Sequence, residues 1–445
     1  MTTDSEETAT AGPNAGTLGE RLETLDFWLS DSVGGARPED EIWLARLRGV
    51  VLAAAAVTLP MSAWKAIGPL TTADLLLAAA VFLYLPRFEF AAARRLWFPA
   101  LAIGLATIGA VVGTVAAGSD VRSSAEILGR VLAASVGAML LVACWQPRLE
   151  QIRSFGWLWV AGGAASAVVA LAIPDLHMFL RPAGLTPHPN HLAIISVVLL
   201  GVSLALVLSE RARAEGFGGL RAWAGLGAAG LLFAGVVASG SRAGLGAAIV
   251  AVFLCLVATR DRSVIRVAVG AAAIGLVATV VLLGVLGQDN AIDRITGGET
   301  TSDTTTSDEI RDTKNAAAWD RFTEHPITGV GFGEIYEAHI FLLQFASGAG
   351  ILGIVAGLMI IYLAIRSYVV AVWRRMADDP PLWIAAGGFA AAVIGYLAAT
   401  IFQNILWDRN VWLTIVLMTW LAATPGRPDN EQASTAVVSL KSTSP

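Results

Sequence analysis

Apolar residues recur along the chain in runs of about 20, set apart by short stretches that hold the arginines, prolines and acidic residues. A run of that length, wound as a helix, crosses a hydrocarbon layer about 30 Å thick. The pattern predicts twelve such helices, over 44–60, 70–86, 97–117, 124–146, 155–173, 190–208, 221–239, 242–259, 264–286, 343–366, 382–403 and 410–424. The runs do not alternate residue by residue, which excludes barrel strands. Between the seventh and eighth runs, Ser239-Gly240-Ser241-Arg242 divides a stretch nearly twice as long as a bilayer needs. The expected fold is therefore an all-α polytopic integral membrane protein of about 12 transmembrane helices. One long outer loop, 287–338, separates spans 9 and 10. Residues 43–424 form the bundle, and 1–42 and 425–445 read as flexible cytoplasmic tails.

Composition supports this reading. The chain is 56% hydrophobic and 15% charged, against about 25% charged in a soluble domain. A soluble enzyme, a single-anchor protein and a disordered chain are excluded. The net charge of −5 says little, because topology follows the placement of Lys and Arg rather than their sum. With the N-terminus inside, Arg46 and Arg48 precede the first span, and the inner loops carry Arg87, Arg94, Arg95, Arg148, Arg153, Arg211, Arg213, Arg221, Arg260, Arg262, Arg266, Arg366, Arg374 and Arg375. The short outer loops hold single basic residues: Lys65, Arg122, Arg181, Arg242 and Arg409. One missed span would invert this asymmetry. Trp43, Trp97, Trp145, Trp383 and Trp407 sit at span edges, where interfacial tryptophans belong. Cys144 and Cys255 fall inside apolar runs and read as packing residues. Residues 1–40 contain no apolar h-region, so no secretory signal is expected.

The candidate chemistry gathers on the outer side. All five histidines (His177, His188, His191, His325 and His339) fall there, with Arg181, Arg242 and Arg311. Three segments start helices from that side: 181–191, Ser239–Gly244, and His339 with the start of the tenth span. Helix N-termini carry unpaired N–H groups and a partial positive charge, and both favour anions. Arginine adds a planar fork suited to phosphate oxygens. The expected ligand of such a cavity is a phosphate or pyrophosphate. Plainer readings stand beside this one. Ser241 and Asn190 suit helix N-caps, Pro187 and Pro189 suit a helix start, and any single outer arginine suits a headgroup contact or a structural ion pair. Asp408 with Arg409 reads as a local ion pair. His188 and His191 lack an acidic or cysteine partner at ligand spacing, so no metal site is expected. Within the long loop, 308–322 predicts an amphipathic helix with Ile310, Ala317, Trp319 and Phe322 as apolar contacts.

Taken together, three stretches resemble the O-antigen ligase / O-antigen polymerase superfamily of polytopic membrane glycan transferases. The 184–193 stretch Gly-Leu-Thr-Pro-His-Pro-Asn-His-Leu-Ala is similar to the start of a middle helix in that family, Gly240-Ser241-Arg242-Ala243-Gly244 to its next helix start. Pro326-Ile327-Thr328-Gly329-Val330-Gly331-Phe332-Gly333, followed by His339, Gly350 and Gly353, matches the family's His–Gly–small spacing, with Ile340 where the family has a polar residue. The resemblance covers roughly 180–360.

The resemblance implies transfer of a glycan from a polyprenyl-pyrophosphate carrier to an acceptor hydroxyl, at the outer face of the bacterial cytoplasmic membrane. It implies an inverting, metal-independent reaction without a cofactor. The partners would be the lipid-linked glycan, membrane lipid, and a glycan, lipid or protein acceptor; nucleic acid is not expected. His339 is the implied general base, and Arg242 and Arg311, with Arg181, the implied pyrophosphate clamp. His188, Asn190, Ser241, Gly331, Gly350 and Gly353 are the supporting set. A polysaccharide polymerase shares this chemistry and differs in acceptor. A small-anion, bicarbonate-type transporter is the alternative of another class. It would place ionisable groups near the bilayer midplane, where these spans hold almost none. A non-catalytic membrane scaffold would need neither the outer arginine–histidine set nor the long loop.

Overall fold

The computed structural model describes residues 28–35, 41–67, 70–173, 177–178, 181–214, 219–259, 302–333, 338–374, 379–400 and 406–424. In chain order the principal helices are α1 (Ile42–Thr58), α2 (Thr72–Tyr84), α3 (Trp97–Ala117), α4 (Val121–Trp145), α5 (Leu149–Ala172), α6 (Pro189–Ala214), α7 (Leu220–Ala238), α8 (Arg242–Thr259), α9 (Ser302–Glu324), α10 (Phe341–Arg374), α11 (Pro380–Ala399) and α12 (Arg409–Ala423). Two short hairpins sit between them, β1 (Lys65–Ile67) with β2 (Leu70–Thr71), and β3 (His177–Met178) with β4 (Arg181–Pro182).

The protein is a multi-pass membrane protein. Among the described residues eight helices, α3 to α8, α10 and α11, are long and apolar enough to cross a bilayer. At the remaining described spans, α1, α2 and α12 are shorter, at 17, 13 and 15 residues. The ninth predicted span, 264–286, lies outside the described residues. The polar stop at Ser239–Ser241 divides α7 from α8 as expected, with Gly240 at φ 66°.

Residues 28–33, assigned to the flexible tail by the sequence, wind into one turn of π-helix. The following backbone docks beside the C-terminal end of α2. Tyr84 donates to the Gly34 carbonyl at 2.5 Å and Arg87 Nη1 to the Gly35 carbonyl at 2.9 Å. Apolar composition alone could not signal this contact, because it is made by backbone carbonyls.

The core is centred on α6. Its sequence is apolar on every side, and such a helix is buried rather than surface-facing; its spanning window is wholly enclosed. Small residues let backbones approach where lipid offers no hydrophobic drive to pack. Gly201 of α6 faces Ala392 of α11, Gly388 of α11 faces Ala205 of α6, and Gly395 of α11 faces Ala251 of α8.

Helix α10 differs from the prediction in its continuity. Gly350 lies at φ 57°, ψ −143°, outside helical geometry. The break leaves carbonyls of the preceding turn without their helical donors. The 328–331 strand of chain supplies replacements: Val330 N–H donates to the Ser347 carbonyl at 2.8 Å and Gly331 N–H to the Gly348 carbonyl at 2.9 Å. Irregular backbone at membrane depth is tolerated when protein groups satisfy it in this way.

The loops sort to two ends. At one end, Arg153 of α5 pairs with Glu150 and with Glu210 of α6, Arg213 pairs with Glu150 at 2.7 Å, and Arg374 lies over Trp383. The opposite end collects the described segments around residues 59–67, 70–72, 181–189, 239–242, 325–333, 338–340 and 406–409, and with them His188, His325 and His339.

Candidate active site

The site at the histidine-bearing end starts with the chain before α6. Gly184, at φ 58°, turns it. The Leu185 N–H donates to Ser166 Oγ of α5 at 3.1 Å, and the Leu185 carbonyl accepts from Ala63 N–H at 2.9 Å. The Thr186 hydroxyl lies 2.6 Å from the Ala183 carbonyl and is almost wholly buried. This loop therefore presents its side chains from a rigid base.

Arg181 leaves β4 and reaches two other elements. Its Nε donates to the Ser239 carbonyl at 2.8 Å, in the turn between α7 and α8, and its Nη2 donates to Asn190 Oδ1 at 3.1 Å. Asn190 thus holds the arginine instead of capping α6. The cap is His188, whose Nδ1 accepts the Asn190 N–H at 3.1 Å. With Nδ1 an acceptor, the ring proton of neutral His188 sits on Nε2. Burial pushes His188 down to about 4, helped by the neighbouring His191, Arg181 and Arg311. His188 is a neutral hydrogen-bond donor at pH 7. His191, one turn into α6, has its ring centroid 6.2 Å from that of His188.

Arg311 of α9, like Arg181, lies near enough to His188 for its charge to act on the ring. Helix α9 covers the predicted 308–322 segment and extends it, but its apolar face differs from expectation. Among the described side chains of α9, Ala318 is the buried one, while Ile310 and Trp319 are exposed at 46% and 57%. Four residues after Arg311, on the same face of α9, the Asn315 side chain accepts the His339 backbone N–H at 2.9 Å. One helix therefore links the arginine–histidine cluster to the chain bearing His339. That chain is held on two further sides. The Phe341 N–H donates to the Thr400 carbonyl at 3.0 Å, and Gln344 Nε2 donates to the Ala338 carbonyl.

Ser241 and Arg242 lie next to this cluster. Ser241 is buried and its Oγ accepts the Gly244 N–H at 3.1 Å, so it caps α8. Arg242 opens α8 three residues after the carbonyl that Arg181 holds, with an exposed side chain.

The glycines of the supporting set are placed by close contact. A Cβ on Gly331, at φ 85°, would strike Thr114 Oγ1; one on Gly350 would strike the Ile327 carbonyl; one on Gly353 would strike the Phe345 carbonyl. Gly350 thus lies where the 326–331 segment crosses the broken helix, and Gly331 lies against α3 and α4.

Arg409 does not form the expected local pair with Asp408. It binds Asp74 and Thr71 at the start of α2, while Asp408 Oδ1 caps α12 by accepting from Asn410 and Val411 N–H. Asp408 is committed to the free donors of its own helix, and the ion-pair partner comes from another.

Asn315 and Gln344 were missed in the sequence. The Arg311–Asn315 spacing was visible, but nothing local to α9 identifies His339 as its neighbour.

Residues 227–358 match the family model described as O-antigen ligase. The match likens this segment, under a third of the chain, to that family. It takes in Ser241, Arg242, Arg311, Asn315, Gly331, His339, Gly350 and Gly353. Arg181, His188 and Asn190 precede it and join it through the contacts just described. Among curated proteins none matches the chain.

Proposed function

We propose that the protein transfers a glycan from a polyprenyl-pyrophosphate carrier to an acceptor hydroxyl, at the outer face of the bacterial cytoplasmic membrane. One observation carries this reading: α9 joins the Arg181–His188–Arg311 cluster to the chain bearing His339, with Arg311 and His339 both inside the O-antigen ligase segment. Arg311 and Arg181, with Arg242 at the start of α8, grip the pyrophosphate. His188 adds a neutral Nε2–H donor. Its basicity is too low for a general base at neutral pH, where a base works best near the ambient pH. His339 takes that part.

In the reaction, His339 removes the proton from the acceptor hydroxyl as that oxygen attacks the anomeric carbon. The bond from that carbon to the pyrophosphate oxygen breaks, and the pyrophosphate leaves with the bonding electrons. The arginine charges stabilise the negative charge as it develops. Attack opposite the leaving group inverts the anomeric centre. A polymerase differs from a ligase here only in supplying a glycan hydroxyl as acceptor.

The test compares the polyprenyl-linked glycan pool and surface glycan in cells carrying wild type, His339→Ala or Arg242→Ala, with extracted protein as the folding control. The expected result is a raised donor pool and reduced surface glycan in both variants at normal protein level. An unchanged pool and unchanged surface glycan in both would overturn the reading.

A further inference from the structure

Asn315 is uncharged, lies at mid-helix in α9, and takes no chemical step in the scheme above. Its Oδ1 nonetheless accepts the backbone N–H of His339 at 2.9 Å. Residues 338–340 are not helical, so this N–H has no ladder partner of its own. Among the described residues, Thr400 at the end of α11, Gln344 of α10 and Asn315 hold the backbone around His339, and of these Asn315 comes from the helix that carries Arg311. Arg311 and Asn315 are one turn apart and share a face. The short turn of helix between them sets the distance from the anion-gripping charge to the histidine backbone.

We propose that Asn315 is a positioning residue, which holds the His339 backbone against the Arg311 turn of α9 so that pyrophosphate grip and proton acceptor keep one spacing. The proposal rests on the reading of His339 as the base. Its physical content is geometric. A displacement of about 1 Å at a reacting group lowers a rate by about 100-fold, and Asn315→Ala removes the hydrogen bond without touching either charged group. Such a loss falls on turnover. Donor affinity, set by the arginines, is left in place.

The experiment uses the full chain in membranes of the native host lacking its own copy. An extract of the host's polyprenyl-linked glycan is added as donor, and acceptor-bound glycan is read as a rate. Asn315→Ala is expected to lower kcat about 10- to 100-fold, with the donor KM close to wild type. Asn315→Asp keeps an acceptor oxygen at the same reach and is expected to recover most of kcat. In the double variant with His339→Ala, Asn315→Ala is expected to add no further loss, since coupled residues are not additive. If Asn315→Ala turns over like wild type while His339→Ala is inactive, the positioning role is wrong and the base assignment stands. If His339→Ala is itself active, the base assignment fails and takes this proposal with it. A fall in kcat that Asn315→Asp does not recover, together with a lowered melting temperature, assigns Asn315 a structural role and overturns the proposal.

Discussion

Arg181 Nε donates to the carbonyl of Ser239 at 2.8 Å, across 58 positions of chain. This bond fastens the loop before α6 to the turn between α7 and α8, and a second Nη2 contact holds Asn190. The guanidinium serves as brace and as charge. Arg181→Lys keeps the charge but loses the fork that reaches both partners. The variant is expected to fall in melting temperature by an amount corresponding to about 1–3 kcal/mol, and to accumulate lipid-linked glycan. Wild-type stability and glycan level in Arg181→Lys would show that charge alone suffices there.

Gly331 sits at φ 85° with Thr114 Oγ1 where a Cβ would go. Gly331→Ala is expected to destabilise the protein by about 2–4 kcal/mol, from backbone strain and overpacking together. Gly246 of α8 has open space around the same position, and Gly246→Ala is expected to be neutral or slightly stabilising. Thermal unfolding of the detergent-extracted proteins distinguishes the two. Equal melting temperatures would mean that the 326–331 segment does not pack as tightly on Thr114 of α3 as described.

Arg409 binds Asp74 and Thr71 with side-chain exposures of 15% for the arginine and 33% for the carboxylate. Beside it, Asn410 is buried, accepts from Trp159 Nε1 at 2.8 Å and donates to the Leu59 carbonyl. These bonds tie the start of α12 to α1, α2 and α5. Asp74→Asn is expected to reduce stability by about 1–3 kcal/mol, above the range of a fully exposed pair. The double-mutant cycle with Arg409→Gln reads the coupling directly; additivity would mean that the pair is solvent-screened.

His188 is pushed down from 6.5 to about 4 in the folded protein. The unfolded chain therefore takes up a proton near pH 6.5 that the folded state refuses. Stability from this group is complete above 6.5 and is lost as pH falls toward 4. His188→Gln cannot titrate, so its melting temperature is expected to fall less than that of wild type across this window. Parallel curves would show that His188 charges freely in the folded state.

The apolar runs by themselves determined the helices. A spanning helix satisfies its backbone internally and needs only local composition and length to be recognised. Charge at helix starts is equally local, which is why Arg181, His188, Arg311 and His339 could be singled out before any contact was known. Helix packing decided the partners. Arg409 meets Asp74, 335 residues away, instead of its neighbour Asp408. Asn190 holds an arginine while His188 takes the cap. Asn315 meets His339 from another helix. The 326–331 segment finds its carbonyls in a helix broken at Gly350. Such pairings depend on which backbones come close enough to leave a donor, acceptor or charge opposite its complement. That is set by side-chain volumes summed over the bundle, and no window of sequence contains it.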